Sequence, residues 1–267
     1  MEPLVCWKGE RKQFVPALVS RLPRNFGTYF DPFFGGGSLY SVVAPESAMI
    51  GDVNGSLMNV YRQARKNSGL LVAWLCKYQH LYNGFAHLED KEKDYIIRRA
   101  KYNQGLHSMM PNMEDAALFI YLNKVGQNHA YHLNDTGDFD VPFGGENQVE
   151  LFDLENLYAF SELLQGAQIF VGDYEMTASK ARKNDFLFLD PPELYEGTTD
   201  VPDTFSLEEH IHLSKFFAKM DKKGVYCMLV AQDTDPIRNL YRNYRIEELE
   251  NADAAASEKY LVIRNYS

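Results

Sequence analysis

Short continuous apolar runs, bounded by polar and glycine-rich turns, recur along the chain. Residues 29–34 form one such run and lead into Gly35-Gly36-Gly37-Ser38, after which 39–43 continue apolar. Strand, glycine turn and helix start is the predicted order. Residues 48–52 predict a second strand ending in Asp52, followed by a helix through Leu57, Val60 and Tyr61. A βαβ unit is the economical reading. From about 56 to 160 strand runs are missing and helical periodicity prevails, as at Ala116, Ala117, Phe119, Ile120 and Tyr121, which predicts a mostly helical insertion. Strand runs return at 168–173, 186–190, 225–231 and 259–264. Residues 205–220 predict a helix with Leu207, Ile211, Leu213, Phe216 and Phe217 as its apolar set. Runs buried on both faces belong to parallel or mixed sheets covered by helices, so an α/β fold follows.

Composition narrows the class. A chain of 267 residues, 45% hydrophobic and 24% charged, suffices for one large domain or a core with a subdomain. Cys6, Cys76 and Cys227 are widely spaced and odd in number, which suits reduced core residues rather than disulfides or zinc ligands. No apolar run reaches the roughly 18 residues of a membrane span, and the first residues lack a signal-peptide layout. A cytoplasmic setting, or a nucleoid-associated or viral-intracellular one, is expected, with no membrane partner. The net charge of −10 works against a uniformly basic face for phosphate. Basic runs at 62–66, 98–101, 219–223 and 238–245 are the local candidates for such a face, and each reads first as a solvated helix face. His107, His129, His132, His210 and His212 do not complete a metal pattern, because His210 and His212 point to different faces of a helix; no metal site is expected.

Two stretches carry candidate chemistry. A glycine turn after the first strand lets backbone approach a ligand, and Asp52 at the end of the next strand suits a ribose hydroxyl pair. Dinucleotide and S-adenosylmethionine sites share that layout, but Gly35-Gly36-Gly37 does not match Gly-x-Gly-x-x-Gly, which disfavours NAD. The second stretch is Asp190-Pro191-Pro192-Glu193, directly after the apolar run 186–189. No cysteine stands in a Pro-Cys context, so a cysteine nucleophile is not indicated.

The order Trp7-Lys8-Gly9-Glu10-Arg11-Lys12, Asp31-Pro32-Phe33-Phe34-Gly35-Gly36-Gly37-Ser38, Gly51-Asp52-Val53-Asn54, Tyr121-Leu122-Asn123-Lys124, Gly137-Asp138-Phe139-Asp140-Val141-Pro142-Phe143-Gly144, Asp173-Tyr174 and Asp190-Pro191-Pro192 resembles the Dam-like, D12-class DNA adenine-N6 methyltransferases over nearly the whole chain. The resemblance implies a Rossmann-like S-adenosylmethionine-dependent methyltransferase core over 1–55 and 161–267, with 56–160 as a helical target-recognition insertion. It implies cofactor contacts at Trp7 and at Arg11, where the family has lysine. Asp31, Phe33 and Gly35 would hold the methionine end, Asp52 the ribose, and Asp173 with Tyr174 the adenine. Asp190 and the Pro191 carbonyl would accept the two hydrogens of a target amine, on a backbone stiffened by Pro191 and Pro192.

The pattern also departs from that family. Glu193 stands where an aromatic residue stacks on the flipped base, and Tyr195 is a nearby aromatic able to substitute if the loop bends. In the segment expected to read the target, Asn128 is retained and His132 takes the place of an arginine. A histidine cannot reproduce the bidentate fork on guanine, so GATC specificity is not carried over. Residues 193–209 hold six acids and no Lys or Arg, and 247–258 is acidic as well. The expected function is therefore methyl transfer to the exocyclic amine of a flipped adenine in DNA. Two alternatives stay open: a catalytically degenerate methyltransferase fold serving as a binding or assembly component with a protein partner, and a methyltransferase with a non-DNA acceptor.

Overall fold

The computed structural model describes residues 1–7, 9, 11–107, 111–195, 205–249 and 259–267. The chain folds as two compact units: Met1–Glu10, Gly35–Gly37 and Asn54–Ile169 form one, and Arg11–Phe34, Ser38–Val53 and Phe170–Ser267 the other.

The second unit is built on a sheet. Its strands are β1 (Tyr29–Asp31), β2 (Ala48–Asp52), β3 (Ala167–Val171, where the chain passes between units), β4 (Phe186–Leu189), β7 (Tyr226–Gln232), β8 (Arg245–Leu249) and β9 (Tyr260–Arg264). Among the described residues these seven lie in the order β3-β2-β1-β4-β7-β9-β8. Pairing is parallel from β2 through β1 and β4 to β7, with Phe30 beside Met49 and Leu187, and Leu187 beside Cys227. β9 runs antiparallel to both β7 and β8. All four residues of β4 and all five of β9 are buried, which explains the apolar sequence of β4 and of β9 up to Arg264. Phe30, Leu187, Leu229 and Ile263 share a core with Leu213, Phe216 and Phe217 of the helix α8 (Leu207–Lys222). Shorter helices α1 (Val15–Val19), α2 (Ser38–Val43), α7 (Tyr174–Thr177) and α9 (Asp235–Leu240) complete this unit.

Most predicted elements are present, with instructive shifts at their ends. The first strand stops at Asp31 instead of continuing to 34, because Pro32 offers no N–H to the ladder; Phe34 N instead donates to Gly51 O at 2.9 Å. The helix expected from 205 starts at Leu207. Phe205–Ser206 forms a short strand, β6, parallel to β5 (Leu194–Tyr195), and Ser206 caps α8 in a capping box with Glu209. β8 has no counterpart among the expected strands: its sequence Arg-Ile-Glu-Glu-Leu is half polar because it lies at the sheet edge.

The first unit is helical: α3 (Gly55–Gly84), α4 (Leu88–Leu106), α5 (Met113–Val125) and α6 (Leu154–Leu163). α3 is interrupted at Asn67, whose φ of −157° and ψ of 72° break the helical geometry. α5 is buried on nearly every side, so its sequence is apolar all round rather than striped. Tyr78, Tyr82, Tyr95, Tyr102 and Tyr121 are buried in this unit, with their hydroxyls satisfied locally; that of Tyr95 donates to Val141 O at 2.9 Å.

Several arginines of the basic runs serve the fold itself. Arg98 pairs with Asp94 at 2.6 Å and lies over the rings of Tyr78 and Tyr121, while Arg99 donates to Val141 O and Lys101 pairs with Glu114. Arg62 and Arg65 donate to the carbonyls of Ile169 and Ala167. Arg238 bridges Asp233 and Glu248, and Arg245 pairs with Glu247. No helix among the described residues is long and apolar enough to cross a membrane.

His210 of α8 is 1% exposed, edge-on to Phe205 at 4.9 Å, and both ring nitrogens lack hydrogen-bond partners. Burial lowers its pKa to about 4. The unfolded chain, with an ordinary histidine near 6.5, binds this proton first, so the stability due to neutral His210 is present above about pH 6.5 and declines as pH falls toward 4. His210→Leu is expected to remove this acid sensitivity. Urea unfolding at pH 7 and pH 5 should show the wild type losing about 2 kcal/mol more than the variant between the two.

Candidate active site

In an open, mostly parallel sheet, ligands bind beyond the carboxyl ends of the strands where the strand order reverses. Here β1 leads outward to β2 on one side, and β4 enters on the other. Asp31 closes β1, Asp52 closes β2, and Asp190 follows β4. Three carboxylates are thus delivered to one edge of the sheet by strand ends alone.

Asp31 is 2% exposed. Its Oδ2 accepts from Tyr29 Oη at 2.9 Å, while Oδ1 is buried with no hydrogen-bond partner. Tyr29 and Asp31 are two residues apart on one strand, hence on one face. Burial raises the Asp31 carboxyl to about 8, against the Tyr29 hydrogen bond, with the charges of Asp190 and Asp52 adding to the rise. A lone buried acceptor held neutral by its surroundings fits a cationic ligand group, which would supply donors to Oδ1 and favour ionisation. Asp52 is itself 9% exposed, and its carbonyl accepts from Gly172 N at 3.1 Å.

Asp190 forms an ion pair with Arg11 through Oδ1 and Nη1, with side chains 20% and 7% exposed. Burial pushes the Asp190 carboxyl upward, Arg11 opposes that push, and Glu193 adds to it. The guanidinium of Arg11 also lies over the Tyr260 ring, 4.8 Å from its centroid. Tyr260 Oη in turn donates to Glu193 Oε1 at 2.6 Å, and the Glu193 carbonyl accepts from Phe205 N at 3.1 Å. Asp190, Arg11, Tyr260 and Glu193 therefore form one connected cluster, with Pro191 buried inside it and Pro192 exposed.

Phe33 and Tyr174 are stacked with centroids 5.6 Å apart, and Tyr174 also meets Phe216 edge-on. Asp173 Oδ1 accepts from Met176 N at 2.7 Å, capping α7. In the helical unit, Trp7 packs against Phe119 and Tyr131 at 6.3 and 5.7 Å. Gly35 has φ of +48°, and a Cβ there would stand 2.7 Å from Trp7 Cδ1, so both backbone and neighbour require glycine. Asn123 is fully buried, bonds both backbone groups of Cys6, and donates to His129 O at 2.7 Å. The residue before Trp7 and the segment after α5 are thus fixed by one side chain.

That segment is a hairpin closed by bridges Gly126 to Phe143 and Leu133 to Phe139. Asn128 and His129 have φ of 56° and 53°, a left-handed pair that turns both outward. Asn128 and His132 are exposed, and His132 Nδ1 bonds Asp140 Oδ1 at 2.7 Å.

The Tyr195 side chain and the acids Glu196, Asp200 and Asp203 lie outside the described residues. Of the other acids, Glu193 bonds Tyr260 and Glu209 bonds Ser206, and Glu247 collects Arg21, Arg245 and Arg264. Among the described residues, no group of three His, Cys, Asp or Glu converges as a metal site. Sequence reasoning missed Tyr260, Tyr29 and Tyr131. Tyr29 was open to detection from its spacing to Asp31; Tyr260 reaches Glu193 only through sheet pairing and left no local signal.

The strand order, the parallel core and the carboxylates at its switch point define a Rossmann-like methyltransferase fold. The chain belongs to the D12 class N6 adenine-specific DNA methyltransferase family, whose model matches residues 7–254. It is similar to the type II methyltransferase M1.LlaDCHI of Lactococcus lactis subsp. cremoris, 30% identical over 94% of this chain and 88% of that protein. It is also similar to the type II methyltransferase M.MjaIII of Methanocaldococcus jannaschii, 28% identical over 93% and 91% of the two chains. A DNA adenine methylase of Vibrio cholerae is 26% identical over 90% and 84%.

Replacing Arg11 isolates the electrostatics of the cluster. Arg11→Met leaves Asp190 buried without its cation, so the carboxylate form is penalised and the neutral form is not. Chemical unfolding is expected to show a loss of about 2 kcal/mol at pH 8, shrinking as pH falls toward 5.

Proposed function

We propose that this protein transfers the methyl group of S-adenosylmethionine to the exocyclic N6 of adenine in DNA. The observation that carries the reading is Asp190, held at the carboxyl end of β4 beside the strand-order reversal, with two prolines following it. When bound, the cofactor supplies a methyl group activated on a sulfonium. Asp31, with its unpartnered Oδ1, would take the ammonium of its methionine end, and Asp52 the ribose hydroxyls. Phe33, Asp173 and Tyr174 would border the adenine side, and Arg11 lies with them in the sheet unit. Trp7 and Gly35 carry the cofactor expectation in the helical unit, whose hairpin residues Asn128 and His132 would face the target. An intracellular setting belongs to the same reading.

The amine of adenine is a weak nucleophile because its lone pair is delocalised into the ring. Asp190 and the Pro191 carbonyl would accept its two hydrogens, localise the lone pair and aim it along the line of attack. Pro191 and Pro192 fix the backbone so that the carbonyl cannot rotate away. In the base-free protein Arg11 opposes the upward push of burial on the Asp190 carboxyl, which favours the form that accepts. Specificity for GATC is not part of this proposal, since His132 lacks the arginine fork.

Glu193 favours a second reading: a protein that binds the cofactor but no longer transfers it, acting through a protein partner, or one with an acceptor other than DNA. Incubation with S-adenosylmethionine and unmethylated DNA, followed by nucleoside analysis, separates the readings. N6-methyladenine is expected, and Asp190→Ala should lower kcat at least about 100-fold while calorimetric cofactor affinity stays within several-fold. Cofactor binding with no methylated base would replace the first reading by the second.

Cofactor affinity is also expected to depend on pH. Asp31 is neutral below about pH 8 in the cofactor-free protein, and a cationic group at Oδ1 favours its ionised form. Binding thus releases a proton, so affinity should rise from pH 6 to 7.5, by at most about tenfold per unit. Calorimetry in buffers of different ionisation enthalpy reads that proton directly; Asp31→Asn should weaken binding and flatten the dependence.

A further inference from the structure

We propose that Tyr260 is the stacking platform for the target base, held in place by Glu193, and that the Arg11 guanidinium occupies the base's position in the base-free protein. The inference rests on the reading of Asp190 as the amine acceptor.

A flipped adenine at this site needs two contacts at once. One N–H must reach Asp190, and the flat face must lie against an aromatic ring. Arg11 makes both: a planar group whose Nη1 donates to Asp190 Oδ1 while its Cζ stands 4.8 Å from the Tyr260 centroid. A guanidinium is flat, bears N–H groups at its edge and stacks on aromatic faces, so it reproduces the amino edge and the π-face of the base. The geometry that Arg11 satisfies is the geometry a base would inherit on displacing it.

The platform is anchored. Tyr260 opens β9, and its backbone is in register with Gln232 of β7 and Leu249 of β8. Phe14 packs against its ring at 5.4 Å, and its hydroxyl is tied to Glu193 Oε1 at 2.6 Å. The residue after Pro192 therefore does not offer a ring of its own; it holds a ring contributed by another strand. On this view Glu193 is a positioning residue, and the aromatic role has moved rather than vanished.

Steady-state methylation of unmethylated DNA tests the idea through four variants. Tyr260→Leu removes the ring and should lower kcat/KM about 5- to 100-fold, the range for loss of one base–aromatic stack. Tyr260→Phe and Glu193→Gln should each cost less, and the double variant should cost no more than Tyr260→Phe alone, since one removes and the other weakens the same tie. Glu193→Tyr should lower activity, because it removes the anchor; a gain would overturn the proposal, as would wild-type activity in Tyr260→Leu or additive losses in the double variant.

A binding arm works without turnover and also when Tyr260→Leu does not fold. Titration of the wild type with dAMP, followed by NMR, should shift the Tyr260 ring resonances and the Arg11 side-chain N–H, with a weaker shift at the Tyr260 ring position in Glu193→Gln. Undisturbed Tyr260 and Arg11 at saturating dAMP would sink the platform. Tyr260 shifts in a protein that methylates no DNA would instead retain the platform and remove the methyl-transfer reading.

Discussion

Buried negative charge is the constraint around which the sheet unit is organised. Asp31 and Asp190 sit at the ends of neighbouring parallel strands, 2% and 20% exposed, and the charge of Asp190 adds to the cost of ionising Asp31. The two are relieved differently. Asp31 takes one hydroxyl from Tyr29 and remains largely neutral, whereas Asp190 receives a full cation from Arg11. A pair of like groups is thereby separated into a proton carrier and an acceptor. Such a split would suit the proposed reading, with a cationic cofactor group at one carboxyl and a neutral amine at the other.

The fold was legible where burial on both faces wrote itself into the sequence. β4 and β9 are wholly buried; β4 reads as a continuous apolar run, and β9 as one that ends in Arg264. β8 escaped because it lies at the sheet edge and carries three charges in five residues, and Arg245, Glu247 and Glu248 look like surface until their partners are known. The ends of elements were set by single residues: Pro32 terminates β1, and Ser206 with Glu209 starts α8 two residues later than apolar spacing suggested. Within the stretch read as helical, α5 is apolar on nearly all sides and so carries no stripe to mark its buried face.

The candidate site was legible only in part. Asp52 was legible from its place at the end of the second strand, and Asp31 and Asp190 through the motifs that carry the family resemblance. Residues that act through long-range contacts were not visible. Tyr131 reaches Trp7 across the hairpin, Asn123 ties Cys6 to His129, and Tyr260 reaches Glu193 from a strand far along the chain. Charge was misleading for the same reason. Basic runs that suggested phosphate contacts include Arg98 and Arg99, which stack on tyrosines and bond carbonyls, and Glu247 in the acidic stretch is surrounded by three arginines. A charged residue counts toward a surface field only after its internal partners are subtracted.

That subtraction changes the meaning of Glu193. As an isolated carboxylate beside a base pocket it would repel phosphate and offer no stacking face. Its Oε1 is instead engaged by a phenol, and its carbonyl is bonded to Phe205 N, so side chain and backbone both fix the segment after the two prolines. The same phenol ring carries Arg11, which restrains Asp190. On the role proposed for Asp190, an acid at position 193 leaves that carboxylate supported in the base-free protein, because the support runs through Tyr260 and not through the side chain at 193. A substitution that looks like decay in one dimension is, in three, one half of a paired arrangement whose other half lies on β9.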